Sequence, residues 1–473
     1  MVKIGVMFMP IQGVGHLIST VELAKLLLKN TEIHFSITIL TINHLVPAWA
    51  SAIKAYIDSV ISLGLDITFE ELPQIDPPNH QKPETFVTRF VDSHKPLVRD
   101  SISRYLSSPS SPPLSALVLD LFCTSMIDVA NEFDIPAYIY FTSTAAMLSL
   151  MLYLPDYYSN DVEGDIDLPG LSSLPKLCVP EILRDKNDED CNIFLHHGKR
   201  FREAKGIIVN TFDELEPASL KALVDGRCLP DHPTPSVFPV GPLLALEQKK
   251  DGSECHECIK WLDEQPLGSV VFLCFGSLGC FERPQVKKIA EGLERSGQRF
   301  LWALRSPSTD DIRLPTDSNL AEVLPEGFLE RIKERGKVWP SWAPQIQILA
   351  HKSVGGFVTH CGWNSSLESI WFGVPMLGWP LYAEQHLNAF EMGRVLGVAL
   401  ELKLGDENEG FVSSEEVERG VRRLMGEDEE GVKVRTRVEE MKVASRKALQ
   451  TGGSSDAALE RFVMKLISEM PSK

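Results

Sequence analysis

The sequence has little positive charge, no long apolar run and no regular cysteine framework. Its 47 Lys and Arg face 65 Asp and Glu, a net charge of -18, so no basic excess is available to neutralise a nucleic acid or an anionic membrane. The longest apolar stretch, residues 145–154, is shorter than the roughly 20 residues that cross a bilayer. The nine cysteines are odd in number and scattered, which favours free thiols in a reducing compartment. We therefore expect a cytoplasmic protein that binds neither nucleic acid nor membrane.

The composition is typical of a folded protein with more than one domain. Hydrophobic residues make up 44% of the chain and charged residues 24%, which separates it from disordered chains. Its 473 residues exceed the roughly 250–300 at which a single hydrophobic core stops growing. At least two domains are expected.

Short apolar runs rich in β-branched residues alternate with helical patterns, which predicts βαβ units and parallel sheets. A polar segment after residue 246 interrupts the alternation, which then starts again. The predicted fold class is α/β, with a Rossmann-like domain at 1–242, a linker at 243–265, a second such domain at 266–453, and a C-terminal helix at 454–473 that packs back on the first. Parallel sheets bind ligands at the carboxyl ends of their strands, so we expect the site in the cleft between the domains.

A glycine-rich turn, Gly13–Ile18, follows the first predicted strand and opens a helix. Ile18 stands where a dinucleotide-binding turn has its third glycine, and the second strand lacks a ribose-binding acid, so a nicotinamide site is disfavoured. His16 is placed to act as a general base, because its ordinary pKa is near neutral. Asp120 ends a strand at the same sheet edge and can hold the imidazole tautomer. The alternative is that both residues cap helices.

A second candidate site follows the predicted strand 355–359. His360 and Asn364 precede a helix predicted to run from Ser365 to Phe372. Backbone N–H groups at that helix start, joined by these polar side chains, form an anion site suited to a pyrophosphate.

Two further residues near this helix have more than one interpretation. Ser277 lies in a Gly-Ser turn after the strand that ends at Phe275 and offers a second set of amides to the same phosphates. Ser365 and Glu368 have the spacing of a capping box, so the alternative role of Glu368 is to secure the helix end.

Residues 342–385 form a dense run of Trp, His, Gly, Pro and Gln that spans 44 positions. Its characteristic segments are Trp342–Gln345, His351, Val354–Phe357, Thr359–Ser365, Leu367–Ser369, Gly373–Met376 and Trp379–Gln385. Together they resemble the plant secondary-product glycosyltransferase box, in sequence and in length. Gly15-His16, Trp261–Pro266 and Phe275–Ser277 also stand in the order of that family, and Leu168–Leu171 with the Ala383-Glu384-Gln385 ending resembles its subgroup numbered seventy-one.

The resemblance implies a GT-B fold of two Rossmann-like domains that face each other across a cleft, with a UDP-sugar held mainly by the C-terminal half. Trp342 stacks on the uracil, Ala343 and Gln345 complete the base and ribose contacts, and Glu368 accepts the ribose hydroxyls. The diphosphate is held by Ser277, His360, Asn364 and Ser365. The sugar is held by Trp363, Glu384 and Gln385, although many members have Asp at the position of Glu384.

The resemblance also makes His16 the catalytic base and Asp120 its partner. A lipophilic acceptor lies against the N-terminal half, where three aromatic residues are candidates for the pocket and, alternatively, for the core: Phe122, Phe141 and Phe201. No metal is assigned. Cys255 and Cys258 lack a second ligand pair at zinc-finger spacing, and Asp165 and Asp167 lie in a Gly- and Pro-flanked loop rather than at a strand end.

The expected function is an inverting UDP-glucose-dependent O-glucosyltransferase acting on small lipophilic acceptors such as flavonoids, other phenolics or triterpenoids. It needs no cofactor besides the donor substrate UDP-glucose, and it is expected to be a monomer. The alternatives are a UDP-sugar epimerase on the same fold, which needs no open acceptor pocket, and a catalytically silent UDP-sugar-binding protein, which needs neither His16 nor Asp120.

Overall fold

The structure, a computed structural model, describes residues 2–43, 47–79, 82–158, 164–246, 256–307, 315–403 and 411–469. The chain divides into two units: the first is Met1–Lys176, Glu181–Ala245 and Lys447–Lys473, and the second is Leu177–Pro180 and Leu246–Arg446. The segment predicted as linker is partly folded, because helix α9 (Glu257–Asp263) belongs to the second unit and buries Cys258 and Leu262. Positions 247–255 of that linker lie outside the described residues.

The first unit contains a seven-stranded parallel sheet in the order β3-β2-β1-β4-β5-β8-β9. Its central strand β4 has the sequence LSALVLD and is buried along its whole length, as expected for a parallel strand with both faces covered. A two-stranded antiparallel hairpin, β6-β7, is separate from the sheet. The strands are β1 (Val2–Met9), β2 (Ile33–Thr41), β3 (Ile67–Glu71), β4 (Leu114–Asp120), β5 (Ala137–Phe141), β6 (Ile166–Leu168), β7 (Ser172–Leu174), β8 (Gly206–Val209) and β9 (Ser236–Pro239).

Helices connect these strands and bury their apolar sides against the sheet. Leu17, Val21 and Ala24 of α1, for example, lie in one hydrophobic core with Val6 and Phe8 of β1. The helices are α1 (Val14–Leu28), α2 (Pro47–Ile61), α3 (Pro83–Ser93), α4 (Lys95–Ser107), α5 (Met126–Glu132), α6 (Ala145–Tyr157), α7 (Glu189–Phe201) and α8 (Pro217–Val224).

The second unit contains a six-stranded parallel sheet in the order β14-β11-β10-β15-β16-β17 and a short antiparallel pair, β12-β13. Its strands are β10 (Val270–Cys274), β11 (Arg299–Ala303), β12 (Arg305–Ser306), β13 (Thr316–Asp317), β14 (Gly336–Trp339), β15 (Val354–Thr359), β16 (Met376–Gly378) and β17 (Ala399–Glu401). Its helices, besides α9, are α10 (Arg283–Ser296), α11 (Leu320–Val323), α12 (Phe328–Ile332), α13 (Gln345–Leu349), α14 (Trp363–Phe372), α15 (Gln385–Phe390), α16 (Ser414–Met425) and α17 (Glu429–Ala448).

The last helix, α18 (Ser454–Ser468), belongs to the first unit. Its side chains Ala458, Leu459, Phe462, Val463 and Leu466 are part of the hydrophobic core of the first sheet. Each large apolar side chain that is fully buried contributes about 1.5–3 kcal/mol, so this face anchors the helix firmly.

Each sheet has a point at which its strand order reverses. In the first sheet this point lies between β1 and β4, and in the second between β10 and β15. Open α/β sheets bind ligands beyond the carboxyl ends of the strands at such points, so the topology indicates where to look in each unit. Among the described helices, none is long and apolar enough to cross a membrane.

Candidate active site

A histidine–aspartate pair lies at the reversal point of the first sheet. β1 and β4 are parallel neighbours, with Phe8 paired to Val118 and Met9 to Leu119, so the turn after β1 and the last residue of β4 meet at one edge. There His16 Nδ1 lies 2.7 Å from Asp120 Oδ2. The Asp120 side chain is fully buried, whereas that of His16 keeps 28% of its surface exposed.

The hydrogen bonds around this pair define its chemistry. A carboxylate only accepts hydrogen bonds, so Asp120 favours the tautomer in which His16 Nδ1 carries the proton and Nε2 carries the lone pair. The second oxygen, Oδ1, accepts a hydrogen bond from the backbone N–H of Phe122 at 3.1 Å. Thr142 Oγ1 lies 3.2 Å from His16 Nδ1. The imidazole is thus held in an orientation and tautomer suited to proton abstraction.

Gly13 leaves room for the imidazole. A Cβ atom at this position would lie 2.9 Å from Cδ2 of His16, closer than side-chain atoms normally approach. Gly13 is the N-cap residue of α1 but has no side chain to cap the helix. Its role is therefore to leave space for the His16 ring.

The residues predicted to form an anion site, here called the cradle, lie at the reversal point of the second sheet. β10 and β15 are parallel neighbours, with Cys274 paired to Thr359, which brings the turn containing Gly276 beside His360. A Cβ atom on Gly276 or on Gly362 would lie 2.5 or 2.4 Å from His360 Nε2, so both glycines are needed for the imidazole to fit. The cradle also includes Ser277, which is exposed in the same turn.

His360 is a neutral side chain at working pH. The residue is 7% exposed, and burial lowers its pKa to about 4. Its Nδ1 and the side-chain oxygen of Asn364 are buried and have no hydrogen-bond partner within the described part of the chain. Buried polar atoms are normally paired, so this turn contains polar groups that a ligand can satisfy.

The helix after the cradle starts earlier than the sequence predicted. α14 begins at Trp363 with Gly362 as its N-cap, and no side chain caps it. Ser365 therefore lies inside the first turn and cannot be the capping residue, so the capping-box interpretation of Ser365 and Glu368 is wrong. The N-cap position is occupied by Gly362 instead, where the His360 ring leaves no room for a side chain: a Cβ atom there would lie 2.4 Å from His360 Nε2.

Glu368 is instead bridged to its neighbours by Gln345. The amide nitrogen of Gln345 donates to Glu368 Oε2 at 2.7 Å and to Ser365 Oγ at 2.9 Å. Burial raises the pKa of Glu368 to about 7, although the bond from Gln345 opposes the shift. The carboxyl group is thus balanced between its charged and neutral forms near neutral pH.

An exposed tryptophan precedes α13, the helix that begins at Gln345. The Trp342 side chain is 62% exposed and its neighbour Ala343 is 8% exposed. The backbone of Trp342 is held in place by Trp339, whose ring N–H donates to the Trp342 carbonyl at 3.1 Å. A large aromatic face that remains open to solvent is suited to stacking on a planar base.

Comparison with known proteins identifies the family. A profile described as UDP-glucoronosyl and UDP-glucosyl transferase matches residues 220–432. Malvidin galactosylase UGT88C3 from Oryza sativa subsp. japonica is 43% identical over 480 residues, which cover 99% of this chain and 98% of that protein. This chain belongs to the UDP-glycosyltransferase family. UDP-glucose flavonoid 3-O-glucosyltransferase 6 from Fragaria ananassa is also 43% identical, over 96% of this chain and 97% of its own length.

Solved structures agree with this assignment. Medicago truncatula UGT71G1 complexed with UDP-glucose matches with a TM-score of 0.86 and 40% identity, over 98% of both chains. The GT-B fold, the glycosyltransferase class and the resemblance to subgroup seventy-one are thereby confirmed. The chain is a UDP-glycosyltransferase.

In this transferase, two of the three aromatic residues proposed for the acceptor pocket belong to the core. Phe141 is 1% exposed and Phe201 is 0% exposed, and their rings pack edge to face at 5.8 Å. Their assignment to the acceptor pocket is corrected, because neither has surface to offer a ligand. Phe122 remains a candidate: it is half-buried, and its ring centroid lies 6.4 Å from that of His16.

The two residues predicted to hold the sugar at the end of the box are adjacent to a tight turn. Gln385 is 3% exposed, and its side-chain oxygen accepts hydrogen bonds from the backbone N–H groups of Leu381 at 2.9 Å and Tyr382 at 3.1 Å. The amide nitrogen is therefore the group that it can offer a sugar, not both ends of the amide. Glu384 is half-buried and is the N-cap residue of α15.

Trp363, also predicted to hold the sugar, is 3% exposed. Its ring is buried in the core of the second unit. Trp363 can therefore contribute to binding only through its backbone, as the first residue of α14.

The acidic and cysteine residues to which the sequence assigned no metal have structural contacts of their own or lie outside the described residues. Asp165 accepts a hydrogen bond from the backbone N–H of Lys176 at 3.2 Å, and Asp167 lies in the β6-β7 hairpin. Cys258 is buried in α9, and Cys255 lies outside the described residues. No group of three or more His, Cys, Asp or Glu residues in the described ranges is arranged to hold a metal ion.

Some supporting residues were not found from the sequence. Asn388 is fully buried and donates to the carbonyl of Cys361 at 3.0 Å, which holds Cys361 in its left-handed conformation at φ 66. An isolated asparagine in a helix has no local signal for such a role. Only the packing of α15 against the turn reveals it.

Proposed function

We propose that this transferase moves glucose from UDP-glucose to a hydroxyl group of a small lipophilic acceptor, a phenol such as a flavonoid, with inversion at the anomeric carbon. The observation that carries the proposal is the His16–Asp120 pair, with its 2.7 Å hydrogen bond. The choice of a flavonoid acceptor follows the name of the Fragaria relative, and the choice of UDP-glucose as donor follows the ligand of the Medicago structure.

In the proposed reaction, Nε2 of His16 takes the proton of the acceptor hydroxyl as its oxygen attacks the anomeric carbon. The new oxygen–carbon bond forms on the face opposite UDP, the bond between that carbon and the diphosphate oxygen breaks, and UDP leaves with the electron pair. A β-glucoside results from an α-linked donor. Asp120 stabilises the imidazolium that forms on His16.

The cradle of the second unit is the proposed binding site for UDP. His360, Asn364, Ser277 and the N–H groups at the start of α14 stabilise the charge that develops on the diphosphate. Trp342 stacks on the uracil, and Glu368 accepts the ribose hydroxyls. His360 Nδ1 and the side-chain oxygen of Asn364, which are buried without a partner among the described residues, support this proposal, because a ligand can complete their hydrogen bonding.

A transfer assay tests the function. Purified protein is incubated with UDP-glucose and a phenolic acceptor, with and without EDTA, and the product is examined by NMR for the coupling constant of a β-linkage. Transfer that survives EDTA and gives the β-glucoside supports the proposal. An α-linked product, or consumption of the donor without any acceptor, contradicts it, and the second result favours the epimerase. The cytoplasmic location and the monomeric state stay predictions.

We expect nucleoside binding to depend on the ionisation of Glu368. Ribose hydroxyls stabilise the charged carboxylate, so binding lowers the raised pKa and should be strongest above pH 7. Affinity should be lost as the pH falls through about 7, by at most about tenfold per pH unit. Uridine is the suitable ligand for calorimetry at pH 6 to 8, because it has no phosphate that titrates there. Glu368→Gln should give a flat profile, and a wild-type profile equally flat would argue against the ribose assignment.

We expect the amide nitrogen of Gln385 to donate a hydrogen bond to the sugar of the donor. Gln385→Glu keeps an oxygen for the N–H groups of Leu381 and Tyr382 but replaces the group that faces the sugar. We expect kcat/KM for UDP-glucose to fall about tenfold, the value of one hydrogen bond, with little change in melting temperature. Because the rice relative is named a galactosylase, the assay includes UDP-galactose. A wild type that prefers UDP-galactose, or a variant as active as wild type, would refute this assignment.

A further inference from the structure

His197 occupies a buried position between two threonine hydroxyls of the first unit. It lies on α7 and is 1% exposed. Its Nδ1 is 2.8 Å from Thr124 Oγ1, and its Nε2 is 3.0 Å from Thr88 Oγ1. Neither the family box nor the proposed mechanism uses this residue.

The protonation of His197 fits a fixed bridge. Burial lowers its pKa to about 3, so the ring is neutral at working pH. A neutral imidazole has one donor and one acceptor nitrogen, and each hydroxyl can supply the complementary group. Both ring nitrogens are thus satisfied, and the ring plane is fixed from two sides.

The bridge holds the turn that follows β4. Residues 120–124 of this turn include Asp120, which bonds His16, and Phe122, whose backbone N–H bonds Asp120. At its other end the hydroxyl of Thr124 bonds His197, and the Thr124 carbonyl accepts from Arg200 Nη2 at 3.3 Å. α7 therefore holds one end of a turn whose other end supports the base.

The same helix also contacts the aromatic ring beside the base. The rings of His197 and Phe194 meet the ring of Phe122 edge to face, at 5.7 and 5.5 Å. The centroid of the Phe122 ring also lies 6.4 Å from that of His16. The contacts with α7 therefore fix the orientation of the Phe122 ring, although that ring is only half-buried.

We propose that His197 is a positioning residue for acceptor selection: with Thr88 and Thr124 it fixes the Phe122 ring beside His16, and it thereby favours flat, multi-ring phenols over small ones. The inference rests on the proposed function, since it assumes transfer to a phenolic hydroxyl. A flat acceptor gains contact only if the ring wall keeps one orientation, whereas a one-ring phenol can adapt to several.

Substitutions at both ends of the bridge test this inference. Thr124→Val and Thr88→Val each keep the shape of the side chain and remove one hydroxyl, and Thr124→Ser restores the hydroxyl. Ser115→Ala is the matched control, because Ser115 is 1% exposed at the opposite end of β4 and loses a 3.0 Å bond to the Gly5 carbonyl. Melting temperature, the dissociation constant of UDP, and KM and kcat for a one-ring and a flat three-ring phenol are measured for each protein.

Both valine variants are expected to raise KM for the three-ring phenol about five- to tenfold, the effect of one hydrogen bond. UDP affinity and KM for the one-ring phenol should stay within about twofold of wild type, and Thr124→Ser should restore the preference. The inference fails if the valine variants change the two acceptors equally, or no more than Ser115→Ala does at a similar melting temperature. A wild type that binds UDP but glycosylates neither phenol refutes the proposed function instead.

Discussion

His16→Ala is expected to lower kcat on a phenolic acceptor by about 10² to 10⁴, the usual contribution of a positioned general base. A phenol has a pKa near 10 and is mostly protonated at neutral pH, so its attack depends on a group that removes the proton. The imidazole that does so is held by Asp120 at 2.7 Å. The groups proposed to bind UDP belong to the second unit, so the dissociation constant of UDP should stay within about twofold.

The control for this substitution is His232→Ala, which removes an exposed histidine of the same unit. Steady-state rates and UDP calorimetry are measured on the same preparations. If His16→Ala retained near wild-type turnover, or lost UDP affinity in proportion to activity, His16 would be a structural residue and the proposed mechanism would be wrong. The rate on an acceptor that is already ionised, such as a nitrophenol at high pH, should be lowered least.

The pairing of His16 with Asp120 could be predicted because it depends on a rule of the fold. Carboxyl ends of adjacent parallel strands meet at one edge, so two residues that are 104 positions apart are neighbours once β1 and β4 are recognised. The same rule relates Gly276 to His360. A dense local motif carries the prediction of the nucleotide site, since Trp342 to Gln385 are close in the sequence.

Burial could not be predicted in the same way. Phe141 at the end of β5 and Phe201 at the end of α7 look like pocket residues in a sequence, but both are buried and their rings pack against each other. The side-chain oxygen of Gln385 gives a similar lesson. The residue type offers a donor and an acceptor, and only the fold of the turn at Leu381 shows that backbone N–H groups use the acceptor.

The start of α14 shows how a tertiary contact overrides a local signal. Ser365 and Glu368 have capping-box spacing, yet the helix begins two residues earlier, at Trp363. The His360 ring approaches Gly362 so closely that a Cβ atom there would lie 2.4 Å from Nε2. Glycine is therefore required at the N-cap position, and Glu368 bonds Gln345 rather than the helix end.

Asp120→Asn is expected to reduce kcat by a factor approaching that of His16→Ala, because an amide cannot meet both demands on the carboxylate. Oδ2 accepts from His16 Nδ1 and Oδ1 accepts from the N–H of Phe122. An asparagine oxygen can accept only one of these bonds. If it faces Phe122, the amide NH₂ faces His16, the proton moves to Nε2, and the base can no longer accept the acceptor's proton. If it faces His16, two N–H groups oppose each other at Phe122, and the charge that stabilised the imidazolium is absent.

Either orientation therefore lowers kcat on a phenol, by about 10² or more, with UDP affinity unchanged. Thr142→Val is the matched control: it removes the hydroxyl that lies 3.2 Å from His16 Nδ1 but keeps the charge of Asp120, so turnover should fall by no more than about tenfold. Steady-state rates over pH 6 to 9 separate the two roles of the carboxylate. A variant that only misorients the ring loses rate at every pH, whereas one that fails to stabilise the imidazolium also shifts the lower limb of the profile to lower pH. Near wild-type turnover in Asp120→Asn would show that the carboxylate is dispensable, and the pair would then be a helix-end contact instead of a catalytic dyad.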